Sequence, residues 1–389
     1  MNFDTPINRF GSHSVKWDSM EAFYGVPAKD GLAMWVADMD FRPPACVQRA
    51  LEGMLAHGVY GYYGDDTEYL DAIRWWMNTR HGWSVEREHI FTTHGLVNGT
   101  SMCVDAFTKP GDGIVLFTPI YHAFARVIKG ADRHVVECKL ANMNGRYEMD
   151  FDAWDSQMTG AETMLIFCSP HNPGGRVWTI AELQGVIDFC KRHNLLLVSD
   201  EIHHDLVING EKHTIMANMP DVSERLVMMT ATTKTFNIAG AHSGNVIIAD
   251  PKLRRRFAER MNAMGISPNS FGMFMATAAY SPEGAEWVDA LQVYLQENAR
   301  IFNDGINQIP GLKSMEMAAT YLAWVDFTDT GMAQAEFIDR VQRTAKIAAN
   351  HGTPFGAGGE NFLRFNLATP RAVVVEAVRR LQAAFSDLQ

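Results

Sequence analysis

Six short runs in this chain read as strands, and several are apolar at nearly every position: Gly113 to Phe117, His134 to Cys138, Met164 to Cys168, Leu195 to Ser199, Leu226 to Met229 and Asn245 to Ala249. A strand with one wet face alternates apolar and polar residues. Runs that are apolar on both sides belong to strands covered on both faces. Helical patterns separate the runs, the clearest from about Ile180 to Arg192. Thr179 can cap it, Glu182 stands three residues on as a capping-box partner, and Ile180, Leu183, Ile187 and Cys190 share one face. The alternation predicts an α/β fold with a mostly parallel sheet.

The last third has a different pattern. Ser281-Pro282 opens a long helix through Trp287, Leu291, Tyr294 and Leu295, with proline at the first helical position. Tyr321 to Phe327 reads as a strand of alternating burial. Thr369-Pro370 opens a final helix carrying Val374, Val378 and Leu381. A chain of 389 residues exceeds one ordinary core. The expected division is a large domain over 46–280, a smaller α+β domain over 281–389, and an N-terminal segment, 1–45, joining the smaller one. A helix near Ser281 to Gly305 is expected to be shared by both.

Hydrophobic residues at 47% indicate a globular chain, and a net charge of −11 advertises no basic face for nucleic acid. Runs such as Leu195-Leu196-Leu197-Val198 are too short to span a bilayer, and the start, Met1 to Pro6, has no signal-peptide pattern. Five cysteines without a Cys-x-x-Cys pair read as reduced, buried thiols of a cytoplasmic protein. His203, His204, Asp205 and His213 invite a metal reading. Neighbours on a strand face opposite ways, so no metal site is expected, and His203 is placed in a cofactor pocket instead.

The chemistry gathers where runs end. In an open parallel sheet, ligands bind beyond the carboxyl ends of the strands. Asp200 ends one run, and a buried carboxylate there needs a cationic partner. Lys234 lies in Thr230-Ala231-Thr232-Thr233-Lys234-Thr235, just beyond another. Partial burial beside cations lowers an amine's pKa and makes it nucleophilic and basic. Asn172, in Ser169-Pro170-His171-Asn172-Pro173-Gly174-Gly175, offers an amide. Arg364 interrupts the apolar Phe362-Leu363-Arg364-Phe365, where a guanidinium is costly without a carboxylate. Together these supply what pyridoxal phosphate (PLP) requires: an amine for a Schiff base, a carboxylate for the pyridinium nitrogen, an amide for the ring oxygen and a guanidinium for a substrate carboxylate. Gly95, Leu96 and Val97 open a helix whose N–H groups can take the phosphate, with Thr233 as a hydroxyl donor. Tyr121 can stack on the ring. Lys234, Asp200 and Tyr121 are therefore the candidate catalytic residues.

These motifs resemble the fold-type I PLP enzymes of the class I/II aminotransferase superfamily over nearly the whole chain. Met34-Trp35-Val36-Ala37-Asp38-Met39-Asp40-Phe41, Val59-Tyr60-Gly61-Tyr62 and Ser199-Asp200-Glu201-Ile202-His203 look like its MalY/PatB-type cystathionine β-lyase branch, as does the segment Lys234 to Gly240. The resemblance implies an aspartate aminotransferase-like fold and a homodimer with sites at the subunit interface. It implies Tyr62 near the partner subunit's phosphate, Arg364 on the substrate α-carboxylate, and Trp35 to Phe41 at the substrate entrance, with Trp35 and Asn172 beside the substrate. Two positions depart from the wider family: His242 stands where many members have a phosphate-binding arginine, and His203 where they commonly have tyrosine.

The branch resemblance favours a C–S β-lyase that releases a thiol, pyruvate and ammonia from cystathionine or another cysteine S-conjugate. An aminotransferase would use the same residues. A third reading, a protein that mainly binds a regulatory partner, conflicts with the complete catalytic set. The side chain of the natural substrate is not legible in the sequence.

Overall fold

The computed structural model describes residues 1–388. Its large sheet has seven strands: β1 (Ile90–Thr93), β2 (Gly113–Thr118), β3 (His134–Lys139), β4 (Glu162–Cys168), β5 (Leu196–Asp200), β6 (Leu226–Thr230) and β7 (Gly244–Ile247), in the order β1-β7-β6-β5-β4-β2-β3. All neighbouring pairs are parallel except the two that β7 makes with β1 and β6. The apolar runs are explained by what covers them. Val115 and Phe117 of β2 enter one core with Leu165 and Phe167 of β4, while Ile114, Leu116, Met164 and Ile166 enter another on the opposite face. Helix Leu96–Phe107 covers the second face and helix Ile180–Arg192 the first.

The expected capping box at Thr179 and Glu182 is present: the Thr179 side chain accepts from the Glu182 N–H, and the Glu182 carboxylate accepts from the Thr179 N–H. Leu183, Ile187 and Cys190 are buried as expected, whereas Ile180, in the first turn, is exposed. β1 has no counterpart among the six apolar runs. At four residues with two threonines it carries too little apolar signal.

A second sheet is antiparallel: β8 (Lys313–Ser314), β9 (Leu322–Asp326), β10 (Asn350–His351) and β11 (Phe362–Asn366), in the order β8-β9-β11-β10. The expected alternation along β9 is absent, because four of its five residues are buried. Trp324 stacks on Phe362 of β11 and its indole N–H donates to the hydroxyl of Tyr147 from the large-sheet half, so the face expected to be wet is covered. Helices Pro282–Ile306 and Arg371–Ala384 pack together. Their close approach needs Gly305, where a Cβ would lie 2.2 Å from Val378 Cγ1. One apolar core runs from Phe117 and Trp154 beside the large sheet to Trp324 and Leu381 beside the small one. All five cysteines are free and buried.

Candidate active site

β7 runs against β1 and β6, so β1 through β6 all point their carboxyl ends to one sheet edge. A cavity of about 390 Å³ lies beyond that edge, within the range of small-ligand sites. Gly95 enters it after β1, Tyr121 after β2, Asn172 after β4, Asp200 at the end of β5, and Thr233 and Lys234 after β6. Arg364 reaches it from β11 and Trp35 from the N-terminal segment. Leu96, Val97, His203 and His242 also line it. Every predicted site residue is thus brought together except Tyr62. That residue is 100% exposed, in a separate groove with Tyr60 and Phe274.

The lysine lies in a short helix, Thr232–Thr235. Burial pushes its ammonium down to about 8; Asp38 opposes the shift and Arg364 adds to it. Its Nζ donates to the Ala37 carbonyl at 2.6 Å, which also accepts from the Tyr321 hydroxyl at 3.0 Å. Ala37 is part of a strap held on both sides. Asn237 Nδ2 donates to the Met39 and Phe41 carbonyls, and Asn366 Nδ2 to those of Val36 and Asp38. Arg9 pairs with Asp38 and Asp40 at 2.8 Å, and buried Lys16 with Asp40 at 2.7 Å.

Asp200 and Arg364 are both buried charges without an opposite charge in contact. Burial raises the Asp200 carboxyl to about 7; the Ile202 N–H, at 3.0 Å, pulls only partly the other way. Burial lowers the Arg364 guanidinium to about 10. It donates to Asn172 Oδ1 at 3.0 Å, Asn350 Oδ1 at 2.6 Å and the Trp35 carbonyl at 3.3 Å, and it lies over the Phe355 ring. Its Nε has no partner, so it is set to grip an anion. His122 is pushed down to about 4 by burial and by Arg364 and Arg126, and is neutral at pH 7.

Helix Leu96–Phe107 starts at Gly95, whose φ of +84° disfavours any residue with a Cβ, and no side chain caps it. Its first N–H groups and the positive end of its dipole form an anion site at the cavity wall. The residues fit PLP on their own terms: an unpaired buried carboxylate for a pyridinium, an amine of lowered pKa for an aldehyde, and an uncapped helix start for a phosphate.

Glu201 and Asp205, on either side of His203, are buried and hydrogen-bonded away from the cavity. Glu201 accepts from His213, Ser199 and the Met216 N–H, and Asp205 from Trp76, His81 and Thr235. His203 and His204 lie in a turn rather than on a strand, yet still diverge: His203 lines the cavity and His204 pairs with Asp205. His81, His204 and Asp205 bring ligand-type atoms within 4.8 Å of one another. Asn350, Tyr321, Asn237, Asn366 and the Ala37 carbonyl are contacts around the cavity that the sequence does not announce. Single amides and a main-chain oxygen carry no motif.

The family described as "Aminotransferase class I and II" has a sequence model that matches residues 35–381. The cystathionine β-lyase PatB of Bacillus subtilis is 38% identical over 99% of this chain and 100% of its own. The crystal structure of cystalysin from Treponema denticola, which contains pyridoxal 5'-phosphate, superposes with a TM-score of 0.95 at 35% identity, over 100% of this chain and 99% of that one. A PLP-bound C–S lyase from Staphylococcus hominis superposes with a TM-score of 0.91 at 28% identity, over 100% and 98%.

Proposed function

Because the chain belongs to the aminotransferase class I and II family, we propose that it is a PLP-dependent C–S β-lyase, cleaving cystathionine or a related cysteine S-conjugate to a thiol, pyruvate and ammonia. One observation carries the chemistry: a buried lysine amine of lowered pKa shares a cavity with an unpaired carboxylate and an unpaired guanidinium. The relatives named as lyases support elimination over transamination.

Bound PLP supplies an aldehyde and an electron-withdrawing ring that stabilises negative charge at the substrate α-carbon. Asp200 holds the proton on the ring nitrogen, since a buried carboxylate favours a cation beside it. The helix start at Gly95, Leu96 and Val97 and the Thr233 hydroxyl would hold the phosphate, with Tyr121 and Asn172 supplying an aromatic face and an amide for the ring. Arg364, fixed by Asn172 and Asn350, binds the substrate α-carboxylate. Lys234 Nζ, its pKa near working pH, takes the α-proton as general base. Trp35 and the strap through Ala37 exclude water from the entrance.

The proposal includes a homodimer in which Tyr62, remote from its own cavity, serves the partner's phosphate. It also includes a cytoplasmic location, which five free cysteines support. No described helix is long and apolar enough to cross a membrane. The test is product analysis of the PLP-loaded protein with L-cystathionine, with and without a keto acid. Pyruvate, ammonia and a free thiol without any keto acid are expected. Turnover only with a keto acid present would make the protein a transaminase.

A further inference from the structure

Asp205 lies behind the cavity wall and does not line it, yet it holds the two segments that carry the cavity's reactive groups. Its carboxylate is buried beside Trp76, which stacks on Tyr280 with ring centroids 4.8 Å apart. A charge there is costly unless donors surround it, and both oxygens are occupied. Oδ1 accepts from Trp76 Nε1 at 2.9 Å and His81 Nε2 at 2.8 Å. Oδ2 accepts from the Thr235 hydroxyl at 2.8 Å and pairs with His204 Nε2 at 3.1 Å. The main-chain carbonyl takes Gln292 Nε2 at 2.6 Å, tying the turn to helix Pro282–Ile306.

The position of those donors in the chain gives the hub its meaning. Thr235 directly follows Lys234, and His204 directly follows His203. In each pair one residue faces the cavity and the next faces Asp205. Helix Thr232–Thr235 is a single turn, too short to hold its place by its own hydrogen bonds. It needs an outside anchor, and the Thr235 hydroxyl supplies one.

We propose that Asp205 is a positioning residue for the reaction: through Thr235 and His204 it sets Lys234 and His203 against the cofactor cradle. The proposal rests on the reading of Lys234 as the PLP-binding lysine. A divalent cation held by His81, His204 and Asp205 is the rival explanation of the same cluster. Three hydrogen bonds already on the Asp205 carboxylate, two on Oδ1 and one on Oδ2, argue against it.

The test uses PLP-loaded protein and the pair Thr235→Val and Thr235→Ser. Valine keeps the shape and removes only the hydroxyl that meets Asp205; serine keeps the hydroxyl. The readouts are the visible absorbance of bound PLP against pH, the PLP dissociation constant, kcat and KM, and the melting temperature. For Thr235→Val we expect a shifted midpoint of the pH-dependent absorbance and a kcat lower by about tenfold at near-constant KM, since a displaced catalytic group is costly even at a distance. Thr235→Ser should restore both. A valine variant that only melts earlier, with spectrum and kcat unmoved, would reduce Asp205 to a structural role and overturn the proposal. Equal damage from serine would overturn it too, by removing the hydroxyl from the argument. One zinc per chain, with chelation reproducing the valine phenotype, would replace it with the cation. Retention of the PLP absorbance by Lys234→Ala would instead strike the reading of Lys234 itself.

Discussion

At the scale of single residues, the site consists of charges placed where they are expensive. Asp200 shows the cost most directly. Its carboxyl is raised by burial to about 7, against an ordinary value of 3.8. The folded chain therefore binds more protons than the unfolded one between those values, and stability falls as pH rises through that window. Asp200→Asn removes the titration. In protein stripped of cofactor, the variant should melt with the parent near pH 4 and above it at pH 8, by about 1 °C for each kcal/mol relieved in a chain of this length. Thermal melts across that range decide it, and parallel curves would show that Asp200 carries no such penalty. Residue chemistry was the most legible level in the sequence. Asp200 and Arg364 stand out because a charged group ends or interrupts an apolar run, and Lys234 and Asn172, just beyond other runs, stand out only beside them. Asn350 and Tyr321 do not, since an amide or a phenol in a mixed context signals nothing until a fold brings Arg364 or Ala37 beside it.

Elements were legible where local rules decide and misread where distant packing does. Helix Ile180–Arg192 follows from its own residues, capping box included. Thr179→Ala should cost about 1 kcal/mol of stability and leave turnover at the parental rate, because neither Thr179 nor any residue of this helix lines the cavity. Urea unfolding and an activity assay read the two separately; a fall in kcat without loss of stability would contradict it. Strand β9 went the other way. Its alternation was inferred from one strand, but the Trp324–Tyr147 contact, 177 residues apart, covers the other face. The strand at β7 was legible and its direction was not. It is set by antiparallel pairing with β6 and with β1, which is itself too short to be seen.

At the scale of the whole molecule, one residue stays outside the site that the single chain builds. Tyr62 is fully exposed, in a groove of about 670 Å³ lined also by Tyr60, Tyr63 and Phe274. If it completes the partner's cavity, two defects on different chains should complement. Lys234→Ala and Tyr62→Ala chains, each impaired alone, should regain up to about a quarter of full activity when co-assembled in equal amounts, since half the dimers are mixed and each has one intact site. Activity no higher than the average of the separate variants would show that Tyr62 serves its own chain. The two-sheet plan was legible from the change of pattern near Ser281. The single apolar core joining both sheets was not, because no sequence window contains Phe117 and Leu381 together. The strap described above has a further consequence, for the order in which a ribosome delivers the parts. Trp35 and Ala37 precede Lys234 in the chain, and Arg364 and Asn366, which hold the Trp35 carbonyl and the strap, follow it. The strap therefore waits for β11 before it is fastened, and because Phe362, Leu363 and Phe365 of that strand belong to the core shared by both sheets, a chain cut short of β11 lacks part of its core as well as the fastening.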